Sequence, residues 1–243
     1  WYMGKVNETQ IANILKFMQD RHVFASIERM TYCPVDMEFA MSVIETIGTY
    51  RNPKFRIDDE NRFVYENMVR WVHGDTEMKC VSPEKKKKVI PGDIAKGIYI
   101  AGNTGTGKTW CLDIMSKYTQ LLNIGIKIVG ERHALTWGGF RADAIIAEYQ
   151  QTGEYYRFAK QPIICIHDLG TESTDALYMG NRMNVLRAIL EYRGDRSDQI
   201  TLISSNIPME HKMFTDKYGD RVASRMREMC NYFELTGQDR RKL

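Results

Sequence analysis

The chain has 243 residues, 43% hydrophobic and 27% charged, the ordinary range of a globular fold with a real core. Its 34 Lys and Arg against 31 Asp and Glu leave a formal charge of +3, too little to argue for nucleic acid by the sum alone, so clustering of charge must decide. Five scattered cysteines, at 33, 80, 111, 165 and 230, contain no Cys-x-x-Cys pair, which argues for reduced thiols and against zinc. No stretch approaches the ~20 apolar residues of a membrane span, and the first residues lack the basic-then-apolar layout of a secretory signal. The expectation is a soluble cytoplasmic protein with no membrane contact; Trp1 in the place of Met points to further sequence upstream.

Over residues 9–22, Ile11, Ile14, Leu15 and Met18 recur at helical spacing, and Met37, Ala40, Met41, Ile44 and Ile47 repeat the pattern. A third helix, over 59–73, carries Val64, Met68, Trp71 and Val72 on one face and stops at Gly74. The stretch 82–92, with two prolines, a glycine and Lys85 to Lys88, reads as a linker or exposed loop, which sets a boundary near residue 90 between an N-terminal helical region (1–90), for partner binding or self-association, and a second domain (91–243). In the second part, short apolar runs at 97–101, 126–129, 163–166, 200–203 and 232–235 suit strands buried on both faces of a parallel sheet. Helical stripes alternate with them, one of Cys111, Ile114, Met115, Tyr118, Leu121 and Leu122 and another of Met183, Leu186, Ile189 and Leu190, so an α/β sandwich is expected.

Directly after the first run, Gly102, Asn103, Thr104, Gly105, Thr106, Gly107, Lys108 and Thr109 spell Gly-x-x-x-x-Gly-Lys-Thr, and Trp110 follows. Glycines let the backbone curl so that its N–H groups face phosphate oxygens, and the helix that follows presents its positive end. Lys108 then reaches the β- and γ-phosphates and the Thr109 hydroxyl coordinates Mg²⁺. These residues, Trp110 included, form the expected nucleotide-binding loop.

Such a site needs a carboxylate at a neighbouring strand end. The run 163–166 leads into His167 and Asp168; Asp168 is the expected metal-linked and catalytic acid, with Glu172 four residues on as a supplement. His167 stands where the first of two acids is usual, and is compatible with supporting the metal shell through water or with filling the strand end. Asp113 reads as a solvated or dipole-complementing residue near the start of the loop's helix. The run 200–203 ends in Ser204, Ser205 and Asn206; if that strand lies between the other two, Asn206 faces the γ-phosphate, the alternative being the start of a turn. Arg221 and Arg225 stand four apart on one helical face, as either a trans-acting finger pair or a salt-bridged surface.

The ordered set of Gly102 to Thr109, Asp168 to Glu172, Thr201 to Asn206, Tyr218 to Arg225 and Leu235 to Arg241 resembles the AAA+ ATPases of the bacterial replicative-helicase-loader group, the DnaC/DnaI type, with the IstB-like ATPases of insertion sequences as a relative. The resemblance implies a P-loop (AAA+/ASCE) three-layer α/β sandwich with parallel strand order 5-1-4-3-2, ATP or ADP with Mg²⁺, and Asn206 as sensor. It also implies Arg225 as a finger entering a neighbouring subunit with Arg221 beside it, homo-oligomers along single-stranded DNA when ATP is bound, and a replicative helicase as partner. His167 departs from the family pattern, which puts fast hydrolysis in doubt.

Trp137-Gly-Gly-Phe-Arg141 and Tyr155-Tyr-Arg157 interleave aromatics with arginine, a composition suited to stacking bases or to core aromatics with solvated charges. Three functions compete: an ATP-driven helicase-loading factor in DNA replication, a nucleotide-switched DNA-binding adaptor in transposition or phage replication with weak or no hydrolysis, and a small-molecule kinase. The kinase needs an arginine-bearing lid and an acceptor pocket, and neither is evident.

Overall fold

The computed structural model of the chain describes residues 8–21, 26–29, 34–84 and 88–240; Trp1, His22, Cys33, Lys85 to Lys87 and Arg241 lie outside the described residues. The N-terminal part supplies α1 (Glu8–Asp20), β1 (Ile27–Arg29), α2 (Met37–Arg51) and α3 (Arg62–His73). Asp36 starts α2 by accepting the Phe39 N–H, and Gly74 ends α3 in the left-handed conformation. Then come β2 (Lys79–Val81) and β3 (Val89–Pro91), paired as an antiparallel ribbon. The segment expected as a plain linker thus builds a strand: Pro91 sits at the end of a two-stranded ribbon, where its missing N–H costs little.

Next are β4 (Gly97–Ala101), α4 (Lys108–Leu121), β5 (Gly125–Ile128), β6 (Glu131–Ala134), β7 (Gly139–Arg141), α5 (Ala142–Thr152), α6 (Tyr156–Ala159) and β8 (Ile163–Leu169). The chain closes with β9 (Ala176–Tyr178), β10 (Asn181–Met183), α7 (Val185–Gly194), β11 (Ile200–Ser205), α8 (Lys212–Tyr218), α9 (Asp220–Met229) and β12 (Cys230–Glu234). The main sheet runs β12-β4-β11-β8-β7, all neighbours parallel, which is the order 5-1-4-3-2 of the P-loop sandwich. Alternation along β4 fixes the layers. Tyr99 and Ala101 face a core built with α5, α7 and α9, whereas Ile98 and Ile100 face one built with α2, α3 and α4.

One strand differs from expectation. The apolar run at 126–129 does not enter the main sheet; β5 pairs antiparallel with β1 and β6, and the short Gly-Phe-Arg strand β7 takes the sheet's edge. The reason is the turn Val129-Gly130, with φ of 52° and 80°, which joins Ile128 to Glu131 as a two-residue hairpin whose twist matches its strands. Val129 is a β-branched residue in a left-handed conformation. Val129→Asn is expected to raise stability by roughly 1 kcal/mol in chemical denaturation, because Asn tolerates that backbone and the valine side chain is exposed.

The core also does not divide at residue 90. Trp71 of α3 is fully buried, donates its indole N–H to Lys96 O at 2.8 Å and packs edge-on to Trp137, 6.2 Å between centroids. Helices α2 and α3 therefore belong to the same layer as the helix after the glycine loop. Trp71→Ala is expected to lower the stability of one cooperative transition by about 3–5 kcal/mol, read by far-UV circular dichroism and Trp137-sensitive fluorescence together; two separated transitions would mean that the N-terminal helices unfold by themselves.

Candidate functional site

The C-terminal ends of β4, β8 and β11 meet at one cleft, which encloses about 1020 Å³ including its open mouth. The loop after β4 delivers the glycine turn and Lys108. Gly107, at φ 94°, turns the chain into the first residue of α4, so that the helix N-terminus opens onto the cleft. Thr104 to Trp110 line the cleft; Gly102 and Asn103 form the loop's stem, Gly102 N–H bonding to Ser205 O at 3.2 Å. The Lys108 ammonium, on a buried side chain, donates to Asn103 O at 2.7 Å and to Asn206 Oδ1 at 2.8 Å. Asn206 stands there because β11 lies between β4 and β8, so the expected strand neighbourhood holds.

Asp168 reaches the same cleft by an irregularity. Between Ile203↔Ile166 and Ser205↔Leu169 the pairing slips by one, so that His167 and Asp168 together face Ser204. Asp168 takes φ 55°, a conformation uncommon for a residue other than glycine and one that Asp tolerates. Its N–H bonds to Ser204 Oγ at 3.2 Å, and among the described residues it is the one carboxylate that lines the cleft. Thr109 Oγ1 lies 3.3 Å from the same Ser204 Oγ.

His167 does not line the cleft. It is 5% exposed, with Nε2 3.2 Å from Asp113 Oδ1 and Nδ1 3.4 Å from Ser204 Oγ, and the ring fits because β7 has glycine beside it: a Cβ at Gly139 would stand 2.0 Å from Nε2. Asp113, expected as a solvated or dipole-complementing residue, pairs with His167 and, at 2.9 Å, with Arg51 of α2. Burial pushes its carboxyl up, but the hydrogen bonds and charges of His167 and Arg51 outweigh that and hold it below the usual range. Glu172 is also corrected. Rather than supplementing Asp168 it is buried, accepting from Gly170 N–H at 2.8 Å and the Tyr218 hydroxyl at 2.6 Å and pairing with Lys217 at 3.2 Å. Arg221 and Arg225 are outside the cleft lining, on α9, where both pair with Asp195 and Arg225 also with Glu228. Trp137 and Phe140 serve the core, the latter 5.2 Å from Phe158; Arg157 is paired with Glu148 and lies over Phe158.

The apolar end of the cleft is contributed by residues that carry no motif in the sequence. Phe55, from the α2–α3 connection, stacks on Trp110 at 6.2 Å and meets Tyr65 edge-on at 6.0 Å, and Leu235 closes the floor. Arg51 lies 4.5 Å from the other aromatic partner, the Trp110 ring. At the mouth, Arg240 bonds back to Gly105 O through its N–H and grips Asp58 at 2.7 and 2.9 Å and Glu60 at 3.3 Å. The signal available was an aromatic in the turn Asn52-Pro-Lys-Phe55 and an arginine after β12, but neither is specific without the fold.

The cleft can hold a flat ring at its apolar end and an anion at the loop. Its oxygen donors, the Thr109 hydroxyl and the Asp168 carboxylate, suit a hard cation that completes its shell with phosphate and water. Among the described residues no group of three or more His, Cys, Asp or Glu could hold an ion by itself, and no helix is long and apolar enough to cross a membrane.

No protein-family model matches the chain, and no curated protein matches it in sequence. Solved structures do show likeness. A DnaC helicase loader matches with 15% identity over 76% of this chain and 94% of its own, at a TM-score of 0.48. AMPPCP-bound DnaA from Aquifex aeolicus matches at 17% identity and TM-score 0.43, and DnaA bound to AMPPCP and single-stranded DNA at 16% and 0.45. The two matches cover 74% and 76% of this chain but only 48% and 49% of the DnaA chains. At these identities and scores, conclusions about the site rest on its own residues.

The Arg240 guanidinium, through its hydrogen bonds, holds Asp58 below the usual carboxylate range against the opposing push of burial. A depressed folded value means that the contribution is complete above the unfolded value, about pH 4, and disappears as the pH falls through the folded value. The stability difference between the protein and Asp58→Asn, at most about 1 kcal/mol for a solvent-screened pair, should therefore be constant from pH 5 to 7 and vanish in urea titrations toward roughly pH 2.

Proposed function

We propose that the chain is an Mg-ATP-binding AAA+ ATPase that acts in DNA replication as a helicase-loader-like factor, assembling along single-stranded DNA when ATP is bound. The observation that carries the reading is the convergence of Lys108, Asn206, Thr109 and Asp168 on one cleft that is also lined by Phe55, Tyr65 and Leu235. Lys108 lies within reach of the β- and γ-phosphates, exchanging its bond to Asn103 O for phosphate oxygens. Asn206, released from part of its hold on Lys108, orients the attacking water. Thr109 and Asp168 would hold Mg²⁺, which supplies neutralisation of the phosphate charge. Arg225, with Arg221 beside it, enters the cleft of a neighbouring copy, leaving Asp195 for the γ-phosphate.

A second reading is favoured by one observation: among the described residues Asp168 is the sole carboxylate lining the cleft, Glu172 being committed to Tyr218 and Lys217. With no second acid to activate water, binding outlasts turnover, and the protein works as a nucleotide-switched adaptor in transposition or phage replication. The N-terminal helices then carry the protein partner, a replicative helicase in the first reading.

Steady-state ATP hydrolysis with and without single-stranded DNA separates the two. Lys108→Ala should abolish nucleotide binding, and Asp168→Asn should lower turnover at least ~10²-fold while retaining nucleotide. Mixing Lys108→Ala subunits with Arg225→Ala subunits should restore part of the activity neither has alone, because each supplies the group the other lacks. A mixture as inactive as its components would remove the shared site, and a protein that binds the host helicase neither with nor without ATP would favour the adaptor.

A further inference from the structure

Behind the cleft, a line of polar groups runs from the cation side of the site to the N-terminal helices. Thr109 Oγ1 lies 3.3 Å from Ser204 Oγ, which lies 3.4 Å from His167 Nδ1; His167 Nε2 lies 3.2 Å from Asp113 Oδ1, and Asp113 Oδ2 accepts from Arg51 at 2.9 Å. Ser204 is fully buried and His167 nearly so, so these contacts cannot be traded for bulk water.

An ionised carboxylate only accepts, so the His167 ring meets Asp113 with a proton on Nε2. That contact sets the ring so that Nδ1 faces Ser204 Oγ, with Cys165 Sγ 3.8 and 3.7 Å from Nδ1 and Nε2. Ser204 Oγ, which also accepts the Asp168 N–H at 3.2 Å, is thereby held beside Thr109 Oγ1. We infer that Ser204, His167 and Asp113 are positioning residues that fix where the Thr109 hydroxyl sits relative to the cation accompanying the nucleotide. His167 thus takes no place in the metal shell. It stands where a carboxylate would act directly, and passes the orienting influence of the Asp113 carboxylate through one more residue. Arg51 anchors the far end, which ties the setting of Thr109 to α2.

The inference rests on the Mg-nucleotide reading of the cleft, and its test keeps the two apart. Dissociation constants for N-methylanthraniloyl-ADP are measured in Mg²⁺ and in EDTA for the wild-type chain, Ser204→Ala, Asp113→Ala and the double variant. The Asp113 carboxylate is partly exposed and Ser204→Ala removes one atom, so both are expected to fold. In each single variant the tightening conferred by Mg²⁺ should shrink about ten-fold, with the EDTA value unchanged, and the double variant should lose no more than the worse single one, because both break the same line. Tightening equal to wild type, or equal losses in Mg²⁺ and EDTA, would overturn the inference and leave these residues a structural role. A wild-type chain that binds no nucleotide in either medium would overturn the reading of the cleft itself, and the inference with it.

Discussion

The site depends on a single slipped residue between two parallel strands. Had β8 kept step with β11, one residue would face Ser204; instead His167 and Asp168 share it, and Asp168 adopts a left-handed backbone. Conformations of this kind cost on the order of 1–3 kcal/mol and persist only where neighbours overdetermine them. Here the neighbours are visible: Ser204 Oγ accepts the Asp168 N–H, Asp168 O accepts both the N–H and the hydroxyl of Thr171, and Ser205 Oγ donates to Leu169 O at 2.6 Å. The slip separates two adjacent polar residues, sending one to the cleft and the other to a buried partner behind it.

That separation explains the charge distribution. A buried lysine facing a cleft needs acceptors, and among those of Lys108 are a backbone carbonyl and an amide oxygen, which carry no net charge. Carboxylates near the cleft are spoken for: Asp113 by His167 and Arg51, Glu172 by Lys217 and Tyr218, Asp58 and Glu60 by Arg240. The cleft is thereby lined by Lys108, Lys54, Arg56 and Arg240, a helix N-terminus and, among the described residues, the single acid Asp168.

The parts of this arrangement written locally were readable in the chain. Gly102 to Thr109 is a contiguous motif whose spacing is imposed by the phosphate geometry, and the buried parallel strands announce themselves as apolar runs. Where order along the chain was misleading, the cause was pairing between distant segments. Residues 126–129 look as buried as the core strands, yet the turn at Val129 and Gly130 folds them onto β6. Gly139-Phe-Arg141 has no strand signature, because an edge strand with one packed side chain needs none. Glu172 is near Asp168 in sequence, but its side-chain partners, Lys217 and Tyr218, come from α8, over forty residues on. Phe55 and Arg240 could not be assigned to the cleft without knowing that segments on both sides of the sheet sequence converge there.

The grip of Arg240 on Asp58 and Glu60 joins residues about 180 positions apart directly over the glycine loop. A ligand entering beneath that clasp meets the α2–α3 connection on one side and the segment after β12 on the other. By thermodynamic reciprocity, whatever free energy it spends in shifting the clasp is felt with equal size by any second ligand that engages either segment. The α2–α3 connection and the last described residue thus form a single lever whose fulcrum is the cleft.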